Sequence, residues 1–433
     1  MLRLWQQSII HRLNSAPYTG YLMAAVLVFA MAAGLLAGAG QVWGQGPGDI
    51  EVLGYQHEVD FPRQITIGVT VEGEHEIVEV KTNYRPVGSQ VWAYGYSDFD
   101  ANRQVTARFS IPTSGPNYVP PGAQVEYYHV VRDAQGKVYE TPTATLEYLD
   151  TRFRWDQTQI GSLTLFHHDV PPSRVDDVAR ELDGEIRRLE SLLQLVRQPP
   201  IRGFIYNGFA EAVPAFPSQS RTITEEQVFH GFAFPSYGVF VGIGTQPRLI
   251  VHETAHLMLA QALDTQGRPI PSWLDEGFAT YMEPGSSPYS GRSLSAQGLP
   301  LRAMSTVSGT PEEINYFYLK AESVVSYLIN EYGTPSFQTF LGELRQGHPL
   351  ETALVNTYGF DTDGLEAEWA ASPVGRASPS PARQHPASPF LLFNNWFLGG
   401  LVLVVMTLVF IRYVVRKLRP SDEDQDWESP GDD

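Results

Sequence analysis

His252, Glu253 and His256 stand in the run His252-Glu253-Thr254-Ala255-His256. At about 100° per residue, imidazoles four apart on a helix share a face and reach one ion, while the carboxylate beside the first reaches water on that ion. The flanks Leu249-Ile250-Val251 and Leu257-Met258-Leu259 carry no charge, as in a helix whose other faces are buried. Downstream comes Ser272-Trp273-Leu274-Asp275-Glu276-Gly277-Phe278-Ala279-Thr280-Tyr281. Ser272 with an acid three residues on has capping-box spacing, which puts Glu276 in the first turn of a new helix. A carboxylate there completes a set of two His and one Glu, and for zinc that set leaves the fourth tetrahedral position open. The chemistry on offer is metal-assisted hydrolysis. The chain has no cysteine, so thiol catalysis and thiolate ligation are excluded, and any metal is held by His, Asp or Glu.

HETAH followed by WLDEGFATY resembles the gluzincin metallopeptidases of the peptidase MA clan, over roughly residues 150 to 370. The resemblance implies that His252, His256 and Glu276 bind Zn2+ and that Glu253 is the general base, with Asp275 as the alternative third ligand. It implies a protein or peptide substrate, laid as an added strand along Val239 to Ile243 as the edge of a sheet. The Gly-x-Met-Glu-Asn signature that holds a free amino terminus in aminopeptidases is absent, so exopeptidase activity is not implied. Thr280 stands where the thermolysin-like pattern has an Asp behind a ligand histidine, which leaves Asp275 and Asp264 as candidates for that support. Tyr318-Leu319-Lys320-Ala321 is similar to the Tyr-x-Lys-Gly context of aminopeptidase-like members, which makes Tyr318 a catalytic candidate as oxyanion donor. Tyr318 equally reads as a core aromatic with Ala321, Val325 and Leu328 at helical spacing, and Tyr316 and Tyr281 are its rivals.

The elements that must position these residues are legible in the periodicity. Val175, Val178, Leu182, Ile186, Leu189, Leu193 and Val196 recur every three or four residues, predicting an amphipathic helix. Ile201 to Tyr206 and Tyr237 to Ile243 read as strands. Thr310 and Glu313 around Pro311 form a capping box that starts a helix running to the Gly333 stop. Trp273 and Phe278 read as core, and His167, His168 and His230 as loop residues. Residues 49 to 150 alternate with period two, as in Ile65, Ile67, Val69, Val71; Val78, Val80; Val105, Ala107, Phe109, Ile111; and Val125, Tyr127. With turn signals between, this predicts an antiparallel β-sandwich in which His57, His75 and His129 are ordinary strand or turn residues. The stretch PPGAQVEYYHVVRDAQGKVYETP resembles the late hairpin of an immunoglobulin-like or fibronectin-like domain.

Of 433 residues, 48 are Asp or Glu against 30 Lys or Arg, a formal charge of −18 that argues against a nucleic-acid partner. Tyr21 to Ala39 is uncharged and preceded by Arg3 and Arg12, which predicts export. Phe390 to Ile411 is apolar over about a bilayer's thickness and is followed by Arg412, Arg416, Lys417 and Arg419, a cytoplasmic-side pattern. The expected organisation is an export signal or signal anchor (1–45), a β-sandwich (46–150), and an α+β, largely helical zincin-like domain (151–371). A Pro/Ser-rich stalk (372–388), a transmembrane helix (389–415) and an acidic cytoplasmic tail (416–433) follow. This describes a membrane-anchored, extracytoplasmic zinc metallopeptidase. The alternatives are an inactive zincin-like scaffold in a surface-binding or adhesion protein, and a zinc hydrolase of non-peptide esters or amides.

Overall fold

The computed structural model describes residues 50–195, 200–218, 230–264, 270–285, 299–307 and 311–372. The export segment, the membrane helix, the acidic tail and the stalk beyond Ser372 lie outside them. Among the described residues no helix is long and apolar enough to cross a membrane.

The amino-terminal region is β-rich. Its strands are β1 (Ile50–Asp60), β2 (Gln64–Pro86), β3 (Ala93–Tyr96), β4 (Asn102–Pro112), β5 (Gln124–Asp133), β6 (Val138–Glu140) and β7 (Ala144–Glu147). Every pairing among them is antiparallel. The first half of β2 lies between β1 and β4, and its second half between β3 and β5. Alternation buries Ile65, Ile67, Val69 and Val71 completely, against Val105, Ala107 and Ile111 of β4 and Val125, Tyr127 and Val131 of β5. Strict alternation would turn Val78 inward with Val80. Val78 is instead 46% exposed, because the register against β5 shifts between Ile77 and Glu79 and hands the inward position to Ile77.

A second sheet has the order β11-β12-β10-β9-β8, built from β8 (Asp156–Ile160), β9 (Leu163–His167), β10 (Ile201–Tyr206), β11 (Gly231–Phe234) and β12 (Val239–Ile243). Its central pairs are parallel and its outer pairs antiparallel. Val239–Ile243 is therefore not the edge. It is flanked by β10 on one side and β11 on the other, so Gly231–Phe234 forms the edge among the described residues, a strand of four residues too short to register as periodicity. His167 ends β9 and is buried; it is not a loop residue.

Helices follow as α1 (Pro172–Leu193), α2 (Pro247–Leu263), α3 (Ser272–Met282), α4 (Pro311–Tyr332), α5 (Thr334–Arg345), α6 (Leu350–Tyr358) and α7 (Thr362–Ala371). One face of the sheet, through Leu163, Leu165, Ile201, Ile205 and Phe240, shares a core with these helices. The other face presents Phe166, Phe204, Tyr206, Phe232 and Phe234 toward the β-rich region. There Tyr118 packs on Phe234 at 5.3 Å between ring centroids and donates its hydroxyl to the Ala215 carbonyl at 2.5 Å. A cavity of about 240 Å3, walled by Phe61, Tyr118 and Phe216 among others, lies on this second face, away from α2.

The Ser272 capping box does not form. Pro271 precedes the helix, Ser272 is its first residue, and the Ser272 hydroxyl donates to the Ser305 carbonyl at 3.0 Å, which releases Asp275 for another task. At Gly277 the α3 backbone comes so close to α4 that a Cβ would lie 2.3 Å from the Ala321 carbonyl oxygen. Gly277→Ala should therefore cost about 1–3 kcal/mol or more, because the atom it meets is backbone and cannot rotate away. Thermal unfolding measures this; an unchanged melting temperature would mean that α4 is not seated as described.

Candidate metal centre

Thirteen of the seventeen residues of α2 are buried, including His252, Glu253 and His256, so no polar group among these three is satisfied by bulk water. Four residues apart, the two imidazoles face the same way, with their Nε2 atoms 3.2 Å from each other. Glu276, in the second turn of α3, brings Oε2 to 3.7 Å from Nε2 of His252 and 3.6 Å from Nε2 of His256. An ion bound tetrahedrally at ~2.0–2.1 Å sets neighbouring donors about 3.3–3.4 Å apart, so the spacing and the N,N,O donor set both fit a zinc-class cation. These three are the group of potential metal ligands found among the described residues.

Each imidazole is held from behind. His252 Nδ1 donates to Glu283 Oε1 at 2.8 Å, and His256 Nδ1 donates to Asp275 Oδ1 at 2.6 Å, which leaves both Nε2 lone pairs for the centre. The other oxygen of Glu283 takes the Arg248 guanidinium, one helical turn before His252. Of the two supports considered from sequence, Asp275 is at the site, as a partner of His256 and not as a ligand. Asp264 instead caps the end of α2 in a left-handed conformation. Glu283 escapes the thermolysin-like spacing, which points to the fourth residue after Glu276, where Thr280 stands. An acid seven residues on, two turns along the same helix face, was the available signal.

Glu253 is fully buried, and neither of its carboxylate oxygens has a protein partner among the described residues. It lies against β11, where a Cβ at Gly231 would stand 2.5 Å from its Oε1, so only glycine leaves this carboxylate its place. Burial drives its carboxyl well above the usual range, reinforced by Asp275 and Glu283. Glu276 is raised in the same way, by burial first and then by Asp275 and Glu253, with a hydrogen-bonding contribution from Tyr318 pulling the other way. Burial lowers the pKa of His252 against the opposing effect of Glu283, favouring the neutral imidazole that a metal needs.

Tyr318 thus sits on α4 beside the Glu276 carboxylate. Its rivals lie elsewhere: Tyr281 stacks with Arg188 of α1 at 5.5 Å, and Tyr316 lies near Glu366. Lys320 is buried and pairs with Glu366 and the Leu299 carbonyl, away from the centre. Trp273 and Phe278 are core. His168 is buried against Phe153 at 4.1 Å, with Asp169 and Glu211 on its two nitrogens, on the face toward the β-rich region. His129 is buried in its strand with Nδ1 on the Thr82 hydroxyl at 3.0 Å.

Residues 183–375 match the family model described as Peptidase MA superfamily, which supports a zincin-like peptidase-clan domain in that part of the chain. No curated protein matches the chain. Among solved structures, OgpA from Akkermansia muciniphila is 9% identical with a TM-score of 0.20, over 25% of this chain and 31% of that one. A polysaccharide deacetylase from Bacillus cereus is 10% identical with a TM-score of 0.20, over 39% and 54%. A β-1,3-glucan-binding domain of carbohydrate-binding module family 56 is 16% identical with a TM-score of 0.16, over 23% and 100%. The chain spans about a third of OgpA and about half of the deacetylase.

Removing a carboxylate behind a ligand histidine weakens metal binding by about 10- to 100-fold, so Glu283→Ala and Asp275→Ala should each do so, read by competition with a chelator. Wild-type affinity in Glu283→Ala would show that Arg248 and Glu283 are only packing. The pH dependence of the metal-free protein follows from the raised carboxyls. Their folded pKa lies above the unfolded value near ~4.5, so they support folding below that value and lose this contribution as pH rises through the folded pKa. Chelator-treated protein should melt lower at pH 7.5 than at pH 5.5, and Glu253→Gln should flatten that slope. Parallel slopes would mean that the Glu253 carboxyl is not raised.

Proposed function

We propose that this protein is a membrane-anchored, extracytoplasmic zinc metallopeptidase that hydrolyses peptide bonds. The observation that carries the reading is the convergence of His252, His256 and Glu276 donors beside an unpartnered, buried Glu253 carboxylate. Zinc in such a site supplies Lewis acidity and a bound water with a pKa near ~7.

The remaining roles belong to the chain. Glu253 accepts the proton of the attacking water at a carboxylate oxygen and passes it to the departing amine nitrogen. No described residue pairs with those oxygens, which leaves them free for that exchange, and a raised proton affinity suits a group that must both take and give. Tyr318 directs its hydroxyl at the oxygen that gains charge during attack. Glu283 and Asp275 keep the imidazoles aimed throughout. A peptide is the substrate class, supported by the Peptidase MA match and by the β11 edge that runs past Glu253, where an extended chain would add as a further strand. Membrane anchorage is supported by the apolar stretch Phe390 to Ile411 and the four cations behind it.

The test is metal analysis and peptide cleavage with full-length protein. Wild type should carry about one zinc per chain and His252→Ala should lose it. Glu253→Gln should keep the metal and lower turnover by about 10²–10⁴-fold, and Tyr318→Phe should keep the metal and lower turnover by about 10²–10³-fold. Undiminished turnover in Glu253→Gln would overturn the mechanism, and a wild type purified without metal in the absence of chelator would overturn the enzyme.

A further inference from the structure

The outward face of β3, β2 and β5 carries chemistry that the metal centre does not use. Directly opposed residues of an antiparallel pair share a face. Asn83 opposes Tyr94 on one side and Tyr128 on the other, Lys81 opposes Tyr96, and Arg85 opposes Glu126, so these side chains stand together. Tyr94 and Tyr96 are 62% and 55% exposed, with ring centroids 5.9 Å apart and planes nearly perpendicular. Trp92 meets Tyr128 edge-on at 4.9 Å. The Arg85 guanidinium lies 4.2 Å from the Trp92 ring centre and the Lys81 ammonium 5.6 Å from that of Tyr94, so the rings are braced in their exposed positions. In register between the tyrosines, Asn83 is 6% exposed, and its amide nitrogen has no partner among the described residues.

We propose that this face binds an oligosaccharide. A pyranose has a flat C–H face that stacks on an aromatic ring and a rim of hydroxyl and ring oxygens that accept hydrogen bonds. Here rings and donors alternate on the same scale, with Lys81 and Asn83 set between Tyr94, Tyr96 and Tyr128. A wholly apolar partner would leave the Asn83 amide unpaired and the Lys81 ammonium desolvated. A peptide adding to the β3 edge would use backbone groups and leave the rings idle. Nucleic acid binding draws on several cations that neutralise phosphates, and this face offers Lys81 beside an Arg85 already paired with Glu126. Arg85 is neutralised by Glu126 at 2.7 Å, whereas no carboxylate among the described residues ion-pairs with Lys81, so a sugar bearing a carboxylate gains from the uncompensated cation. This proposal is independent of the catalytic reading.

The experiment is native electrophoresis of the full-length protein through gels containing a soluble β-glucan, a soluble chitin derivative or a polyuronate. At least one should retard the wild type. Tyr94→Ala with Tyr96→Ala should weaken that retardation tenfold or more while melting temperature, metal content and peptide cleavage stay as in wild type. Lys81→Ala should weaken binding of the polyuronate more than of the neutral glycans. Because Tyr94 is the more exposed ring, Tyr94→Ala alone provides a folded variant should the double substitution disturb β3. Absence of retardation by all three polymers overturns the proposal, as does retardation unaffected by the tyrosine substitutions, or an unstructured peptide that binds the wild type and loses affinity on the same substitutions.

Discussion

Placing four ionisable groups inside an apolar core is the constraint around which the helical part is arranged. A carboxylate or imidazole removed from water must find a partner or give up its charge. His252 and His256 find theirs in Glu283 and Asp275, and Glu276 completes a cation site with their other nitrogens. Among the described residues Glu253 is left without one, and it is the residue next to the space the other three define. An uncompensated group of this kind is expensive structurally and useful chemically, since none of the described residues competes for its proton.

Close approach does the positioning. Glycine at 277 lets α4 lie against α3 and brings Tyr318 to Glu276, and glycine at 231 lets β11 lie against the Glu253 carboxylate. In both places a methyl group would occupy space now held by a carbonyl or a carboxylate oxygen. The segment Glu276-Gly277 thus reads as two linked demands, one for a ligand and one for the absence of a side chain.

What was legible beforehand follows from which signals are local. Spacing along a single helix identified His252, Glu253 and His256, and α1 and β10 followed from periodicity in consecutive residues. The readings that failed depended on what lies alongside. β12 looks like an edge until the four residues of β11 pair with it, and Val78 looks inward until a register shift turns it out. Ser272 looks like a cap until the Ser305 carbonyl proves to be the nearer partner. Glu283 leaves only a weak trace, an acid two turns after Glu276, because its role depends on the reach of α3 back to α2.

The twenty-three residues of β2 run without interruption through both halves of the β-rich region, central in each. The two halves therefore have one backbone in common, the strand in the middle of each. A strand shared in this way couples the unfolding of the two halves, since opening one removes pairing from the strand at the centre of the other. That wholeness is a form of durability obtained without a single disulfide.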